Sequence, residues 1–285
     1  MDSPDYPEGF KELDDAPVVL YAIGDVSLLK KPLLTTVGSR KCDGEGRKLA
    51  AEFTSAAKNF GIQIVCGFAD GIEAAVIKTV KNPIIILPNG IDVIYPAKHR
   101  WLRGEVIKNG GLILTEYPFG VKAFKYNFKF RNRLLAGISD AVLILQAGDR
   151  SGTSITCGCA AQYGKDCYAG PGCIYSRFYT GCNKYIREYG VTAVTKPSHV
   201  LDDYAARYPE LDFAPESIPS RKQPDLSKFD KETASVINAI SGGAASADEI
   251  AIKTKLSISE VNVILINLEI EDYIINNNEQ YSLIL

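Results

Sequence analysis

The sequence predicts an α/β protein with a mostly parallel sheet, helices on both faces of that sheet, and a small second domain at the C-terminal end. From Leu33 to about Asp203, short apolar runs alternate with amphipathic stretches, which is the pattern of parallel strands joined by crossover helices. The runs are apolar throughout, as is typical of strands covered on both faces. After about Tyr208 the apolar period stops, which predicts a boundary before the second domain.

Each element of the first domain follows from its own stretch of sequence. The apolar runs predict strands at 33–37, 62–66, 83–87, 112–116, 141–146 and 167–169. The amphipathic stretches between them predict helices, most clearly at 46–59, 97–109 and 155–163. The layout is Rossmann-like, although no G-x-G-x-x-G fingerprint for a dinucleotide follows the first strand.

The C-terminal part predicts a linker and a winged helix. Four prolines and scattered charges between 208 and 226 indicate the linker, so the predicted domains are 1–207 and 227–285. Ser246 and Ser257 each begin an S-x-x-E capping box, and a further helix precedes them at 234–240. Strands at 273–275 and 281–283, joined by an Asn276-Asn277-Asn278 turn, complete three helices and a hairpin.

Winged helices often read DNA through the second helix of the pair, but here residues 259–269 contain no Lys or Arg. Contact with a protein, or simple packing, is therefore the favoured role of this module. The charge distribution agrees, since from Arg221 onward there are 6 Lys or Arg against 10 Asp or Glu, a net −4 in a chain of net −2. We expect any anionic ligand to bind the first domain.

Composition excludes several classes of protein. At 46% hydrophobic and 23% charged residues the chain is globular rather than fibrous or disordered. Its apolar runs are far shorter than the roughly 18 residues of a membrane span. The N-terminal stretch contains Asp2, Asp5, Glu8, Glu12, Asp14 and Asp15, where a signal peptide needs a basic start and an apolar stretch. The 7 Cys are scattered without CxxC spacing. We predict a cytoplasmic protein with reduced thiols, no metal and no cofactor.

One segment combines cations with aromatic rings. The stretch 117–133, called the basic aromatic segment below, has no acidic residue. Its aromatics are Tyr117, Phe119, Phe124, Tyr126, Phe128 and Phe130, and its cations are Lys122, Lys125, Lys129, Arg131 and Arg133. Cations neutralise phosphates and ring faces stack on unpaired bases, which favours single-stranded nucleic acid. The alternative, in which half of the aromatics are core and the charges are a solvated face, is equally compatible with the spacing.

Two loops are expected beside this segment. Gly38-Ser39-Arg40-Lys41 follows the first predicted strand, and residues 150–154 follow the strand that ends at Gln146 and begin a helix. Small residues let backbone N–H groups approach a phosphate, and a helix N-terminus favours its negative charge. Because the carboxyl ends of parallel strands share one edge, where open α/β sheets bind ligands, the three segments predict an anion site.

Taken together, these motifs identify a family. The chain resembles the DNA-processing protein A family, also called DprA or Smf, over about residues 6–203. The ordered motifs are YP, LYAIGD, VGSR, GIQIVCG, NGIDVIYP, EYPFG, FKFRNRLLAGIS, SGTSIT, GPG and GCNKYI. Many members of that family also carry a terminal winged helix.

The resemblance implies a homodimer that binds and protects single-stranded DNA entering the cell and helps to load the recombinase RecA during natural transformation. It implies that side chains of the FKFRNR motif and of the VGSR loop contact the DNA, while the backbone and hydroxyls around Ser39 and Ser151 to Thr153 hold a phosphate. The predicted DNA-binding residues are Ser39, Arg40, Lys41, Phe128, Lys129, Arg131, Asn132, Arg133, Ser151, Gly152 and Thr153.

The chain departs from the family pattern at three positions. Asp70 occupies the place of a common Arg and Ile77 that of a His, and Lys129 replaces Pro in the FP-x-RNR pattern. The acidic residue is expected to weaken the local positive field, whereas the added lysine favours DNA binding.

The rival class is an enzyme. Residues 150–157 faintly resemble the loop of Lonely-guy-type proteins, which hydrolyse nucleoside monophosphates, but the required Glu is missing. Asp92 and Glu116 are candidates for a general acid and base, or equally for helix caps or Arg partners. We predict that the chain is not an enzyme. A regulator that senses a nucleotide at the same loops remains a third interpretation.

Overall fold

A computed structural model describes residues 3–209, 226, 229–244, 246–271, 273–277 and 280–283. Contacts divide the chain into two compact units, Met1–Ile218 and Pro219–Leu285. Most of the predicted linker, including Pro215, Pro219 and Pro224, lies outside the described residues.

The first unit is built on an eight-stranded sheet of order β1-β5-β4-β3-β2-β6-β7-β8. The strands are β1 Tyr21–Gly24, β2 Leu33–Val37, β3 Gln63–Cys66, β4 Ile84–Ile86, β5 Leu112–Thr115, β6 Ala141–Ile144, β7 Asp166–Ala169 and β8 Thr192–Ala193. All neighbours pair in parallel except β1, which runs antiparallel to β5 at one edge.

Helices cover both faces of this sheet. They are α1 Glu8–Lys11, α2 Gly44–Asn59, α3 Ile72–Val80, α4 Arg100–Lys108, α5 Lys125–Ile138, α6 Thr153–Gln162, α7 Thr180–Tyr189 and α8 Ser198–Arg207. One core layer joins α2, α3, α4 and α8 to the sheet, around Phe53 and Tyr204. The other joins α1, α5, α6 and α7 to the opposite face, around Phe10 and Leu134. Among the described helices, none is both long and apolar enough to cross a bilayer.

The predicted fold class is confirmed, since the apolar runs form the parallel strands β2 to β7. The edge strand β1 was not predicted. Just over half of the basic aromatic segment is helical, because it contains the first part of α5, and no capping motif in the sequence predicts a helix start there.

The second unit is a winged helix with its own core around Val236, Val261 and Leu265. Its elements are α9 Lys231–Ser241, α10 Ala247–Thr254, α11 Ile258–Ile270 and the antiparallel strands β9 Ile274–Asn277 and β10 Gln280–Leu283. Both predicted capping boxes are present, at the starts of α10 and α11. Two residues of the predicted asparagine turn, Asn276 and Asn277, instead belong to β9, and the third, Asn278, lies outside the described residues.

Candidate nucleic-acid interface

A cleft of about 810 Å³ lies at the carboxyl edge of the sheet in the first unit. Its walls are the loop after β2, the loop after β6 with the start of α6, and one side of α5. The described lining includes six cations, Arg40, Lys41, Lys125, Lys129, Arg131 and Arg150, and two carboxylates, Glu73 and Asp149. The three predicted segments therefore do meet, and the cleft carries an excess of positive charge suited to a polyanion.

The loop after β2 is fixed from two sides. The Ser39 N–H donates to the Gln146 carbonyl at 2.7 Å, and the Ser39 carbonyl accepts from the Ile72 N–H at 3.1 Å. Gly71, at φ +76°, lies so close that an added Cβ would stand 2.1 Å from the Ser39 oxygen, so this position requires glycine. Arg40 and Lys41 are consequently exposed side chains on a rigid backbone.

The loop after β6 leads into α6. Ser151 Oγ accepts from the Thr153 hydroxyl at 3.0 Å, and that hydroxyl lies 3.1 Å from the Tyr185 hydroxyl. Asn132 Nδ2 on α5 donates to the Gly152 carbonyl at 3.2 Å, which ties two walls of the cleft together. The N-cap residue Gly152 has no side chain to cap α6, and the Thr153 N–H donates to Ser151 Oγ at 3.4 Å. Because residues 151–156 line the cleft, the positive end of α6 faces it, as in many phosphate sites.

The helical spacing of α5 turns Lys125, Lys129 and Asn132 toward the cleft, because residues one turn apart share a face. The interpretation that half of the aromatics are core is wrong. Four of the six rings in the basic aromatic segment are more than half exposed, and the other two, Tyr117 and Phe128, are partly buried.

Phe128 lies under a cation. The Arg40 guanidinium carbon is 4.5 Å from the centroid of the Phe128 ring, that of Arg131 is 5.9 Å away, and Tyr95 contacts the ring edge-on at 5.9 Å. Cation–π attraction of this kind stabilises a guanidinium in one place. Phe128 thus orients Arg40 over the cleft.

Arg131 lies in the floor of the cleft and is 3% exposed. Its Nη1 donates to the Ile86 carbonyl at 2.5 Å, and its Nε has no hydrogen-bond partner among the described residues. The buried Glu73 carboxylate accepts from the Ala69 N–H at 2.8 Å, and both side chains pack against Gly67. Burial lowers the pKa of Arg131, an effect that the negative charge of Glu73 opposes.

Arg133 points away from the cleft. Its Nε lies 2.8 Å from Asp15 Oδ2 and its Nη2 lies 2.6 Å from Glu116 Oε2. Burial raises the pKa of Glu116, and Arg133 opposes that rise. Arg131 is thus buried in the cleft lining and Arg133 is held by two carboxylates, and the DNA contacts of both stay predictions.

Two cations that line the cleft, Lys125 and Arg150, are missing from the predicted DNA-binding set. Lys125 stands one helical turn before Lys129, so its position could have been inferred had the helix been recognised. Arg150 immediately precedes the predicted Ser151 loop and shares its place at the sheet edge.

The structure accounts for two of the departures from the family pattern, Asp70 and Ile77. Asp70 pairs with Lys98 Nζ at 2.8 Å and with His99 Nε2 at 3.1 Å, so its charge is compensated locally rather than directed into the cleft. Burial lowers the pKa of His99, while Asp70 opposes that effect. Ile77 is 1% exposed and belongs to the core.

The two carboxylates considered for acid–base chemistry are otherwise engaged. Asp92 accepts from the Gly120 N–H at 2.9 and 3.1 Å, and Glu116 is paired with Arg133. Within the described parts of the chain, no group of three or more His, Cys, Asp or Glu side chains is placed to hold a metal ion.

Comparison with known proteins identifies the family. Residues 1–205 match the family model of DNA recombination-mediator protein A, and residues 219–275 match the DprA winged helix domain. The chain is 37% identical over 203 residues to DNA processing protein DprA of Streptococcus pneumoniae, covering 70% of this chain and 71% of that protein. It is 29% identical over 277 residues to Protein Smf of Escherichia coli, covering 96% and 73%.

Solved structures agree with these matches. The structure of the Streptococcus pneumoniae protein superposes with a TM-score of 0.65 at 35% identity, over 70% of this chain and 71% of that one. A structure of DNA processing protein A from Helicobacter pylori, which describes its single-stranded DNA binding mode, superposes with a TM-score of 0.67 at 26% identity, over 71% and 94%. With the family model spanning the whole sheet and its cleft, the chain belongs to the DNA recombination-mediator protein A family.

Proposed function

We propose that this chain binds single-stranded DNA in the cleft, protects strands that enter the cell in natural transformation, and helps to load a RecA-type recombinase on them. The observation that carries the proposal is the convergence of six cations and two anion-friendly loops on one described cleft. The relative from Helicobacter pylori, whose structure concerns a single-stranded DNA binding mode, supports the proposed ligand. Membership of the recombination-mediator family supports the proposed role in recombination.

We assign the predicted residues, together with Lys125 and Arg150 of the cleft lining, to two groups. Those that touch phosphates are Arg40, Lys41, Lys125, Lys129 and Arg150, together with the backbone and hydroxyls of Ser39, Ser151, Gly152 and Thr153. The others support them: Phe128 orients Arg40, Asn132 joins α5 to the loop after β6, Arg131 forms the floor, and Arg133 anchors α5 to the N-terminal segment.

The remaining proposals follow from this role. The active species is a cytoplasmic homodimer that passes its strand to the recombinase without chemical change. A binding rather than a catalytic site is supported by the two carboxylates that were candidates for a general acid and base, since Asp92 accepts from the Gly120 N–H and Glu116 pairs with Arg133.

The ligand class is tested by competition. We expect unlabelled single-stranded DNA to displace a labelled single strand far better than duplex of the same length, because stacking and close phosphate contact need an unpaired, flexible strand. Fluorescence polarisation measures this directly. Equal competition by duplex contradicts the proposal, and displacement by a nucleoside monophosphate at similar concentration favours the nucleotide-binding interpretation instead.

The winged helix is expected to be dispensable for DNA affinity. A chain that ends at Leu226 keeps both core layers of the first unit, whose described members all precede residue 209. It also loses an acidic module whose helix α11 has no Lys or Arg. Affinity for a single strand should hold or rise slightly when both chains are titrated side by side. A large loss would place that module on the DNA.

A further inference from the structure

Helix α5 has a second face beside the one that lines the cleft. Tyr126 and Phe130, one helical turn apart, are 62% and 52% exposed. Their ring centroids lie 5.2 Å apart at an interplanar angle of 88°. Phe124, 58% exposed, precedes the helix. Neither Tyr126 nor Phe130 belongs to the lining of the cleft.

The three exposed rings lie within seven residues. Clustered exposed aromatic surface usually marks a contact site, so these rings indicate that α5 contacts a ligand or partner on this side. Two rings line the cleft, and one of them, Phe128, is already contacted by the guanidiniums of Arg40 and Arg131 and by Tyr95. Tyr95 itself is 45% exposed, so the most exposed ring surface near the cleft lies on the outer side of α5.

Charge favours nucleic acid as the occupant of this face. Lys125 and Lys129 precede Tyr126 and Phe130 by one residue each, so a row of cations runs beside the row of rings along α5. The basic aromatic segment has no acidic residue. Glu116, which directly precedes the segment, is paired with Arg133, as is Asp15. In the cleft lining beside Lys125 and Lys129, Glu73 and Asp149 are outnumbered by six cations.

We propose that Tyr126 and Phe130 form a stacking platform for unpaired bases of the DNA strand where it leaves the cleft. The strand's phosphates follow Lys125 and Lys129, and its bases turn outward onto the two rings. This inference rests on the proposed function, because it extends the path of the same strand.

The test compares two strand lengths. In the full chain, Tyr126→Leu/Phe130→Leu keeps apolar side chains but removes the ring faces, whereas Tyr126→Phe/Phe130→Tyr keeps them. We expect the leucine variant to bind an oligo-dT of about 16 nucleotides about tenfold more weakly, and one of about 4 nucleotides as well as wild type does. The slope of affinity against salt should not change, since no cation is lost. The ring-preserving variant should bind both lengths normally.

Three results overturn the platform. The first is that the leucine variant binds the long strand with unchanged affinity. The second is that it loses affinity equally for both lengths, which would mean that the two rings contact DNA inside the cleft. The third is a sedimenting mass of the DNA-free leucine variant that differs from that of DNA-free wild type. That result would make this face an interface between two copies of the chain. Trp101→Leu, which removes a ring of 57% exposure on α4, controls for the general loss of surface aromatics.

Failure of the platform is distinguishable from failure of the proposed function. If wild type binds neither oligonucleotide, single-stranded DNA is not the ligand. If wild type binds both, and Arg40→Gln weakens both, but the leucine variant binds as wild type does, only the platform is lost. Thermal unfolding followed by circular dichroism should be unchanged in the leucine variant, because both side chains are mostly exposed.

Discussion

Replacing Arg131 with alanine is expected to lower the free energy of unfolding by about 3 kcal/mol. The substitution leaves Glu73 as a buried carboxylate without a neighbouring cation and deprives the Ile86 carbonyl of its donor. It also removes the floor under Phe128 and hence the support of Arg40. Urea denaturation measures the loss, and DNA affinity should fall in step with it.

The double variant Arg131→Met/Glu73→Gln is the matched control. Methionine restores apolar volume, and glutamine removes the unpaired charge while keeping an oxygen that can accept from the Ala69 N–H. We expect it to recover most of the stability lost by Arg131→Ala. Full stability of Arg131→Ala, with a weaker affinity and a flatter salt dependence, would instead make Arg131 a phosphate contact.

The variant Arg40→Gln/Lys125→Gln/Lys129→Gln is expected to bind single-stranded DNA about a hundredfold more weakly at low salt. Each lost phosphate contact flattens the logarithmic salt slope by about 0.7, so three flatten it by about 2. Because the lost free energy is that of counterion release, the affinities of variant and wild type should converge as salt approaches 1 M. Polarisation titrations at several salt concentrations give both quantities.

A second triple variant separates contact from net charge. Lys31, Lys81 and Lys108 are exposed and lie outside the described lining of the cleft. Lys31 precedes β2, Lys81 follows α3, and Lys108 is the last residue of α4. Their replacement by glutamine changes the net charge by the same amount. For this second triple variant, the slope of log affinity against log salt concentration should match that of wild type. An equal loss of affinity in both triple variants would show that the cleft cations act through the net charge of the protein and not through direct phosphate contacts.

The sheet could be predicted because each central strand is an unbroken apolar run covered on both faces. Strand β1 could not, since only one side of Tyr21–Gly24 pairs with another strand and three of its four residues are exposed. An edge strand of this kind has little apolar signature in the sequence. Its position depends on pairing with β5, which is a tertiary effect.

The site was predictable in its loops and less so in its helix. Topology alone brings Ser39 and Ser151 to one edge, whereas the roles of Arg131 and Arg133 depend on the phase of α5. Residues two apart on a helix point in widely different directions, so one arginine enters the floor and the other reaches Asp15. No signal marked the helix start, because Phe124 offers no capping side chain and the first turn has no acidic residue.

The adjacency of β2 and β6 at the centre of the sheet has an evolutionary consequence. The chain leaves β2 toward α2 on one face and leaves β6 toward α6 on the other, so the two loops diverge at a topological switch point and a crevice opens between them. The crevice is a product of strand order and does not depend on the side chains that fill it. Substitutions in these loops can therefore change ligand preference while leaving strand register intact, which makes recognition and folding separately adjustable in this architecture.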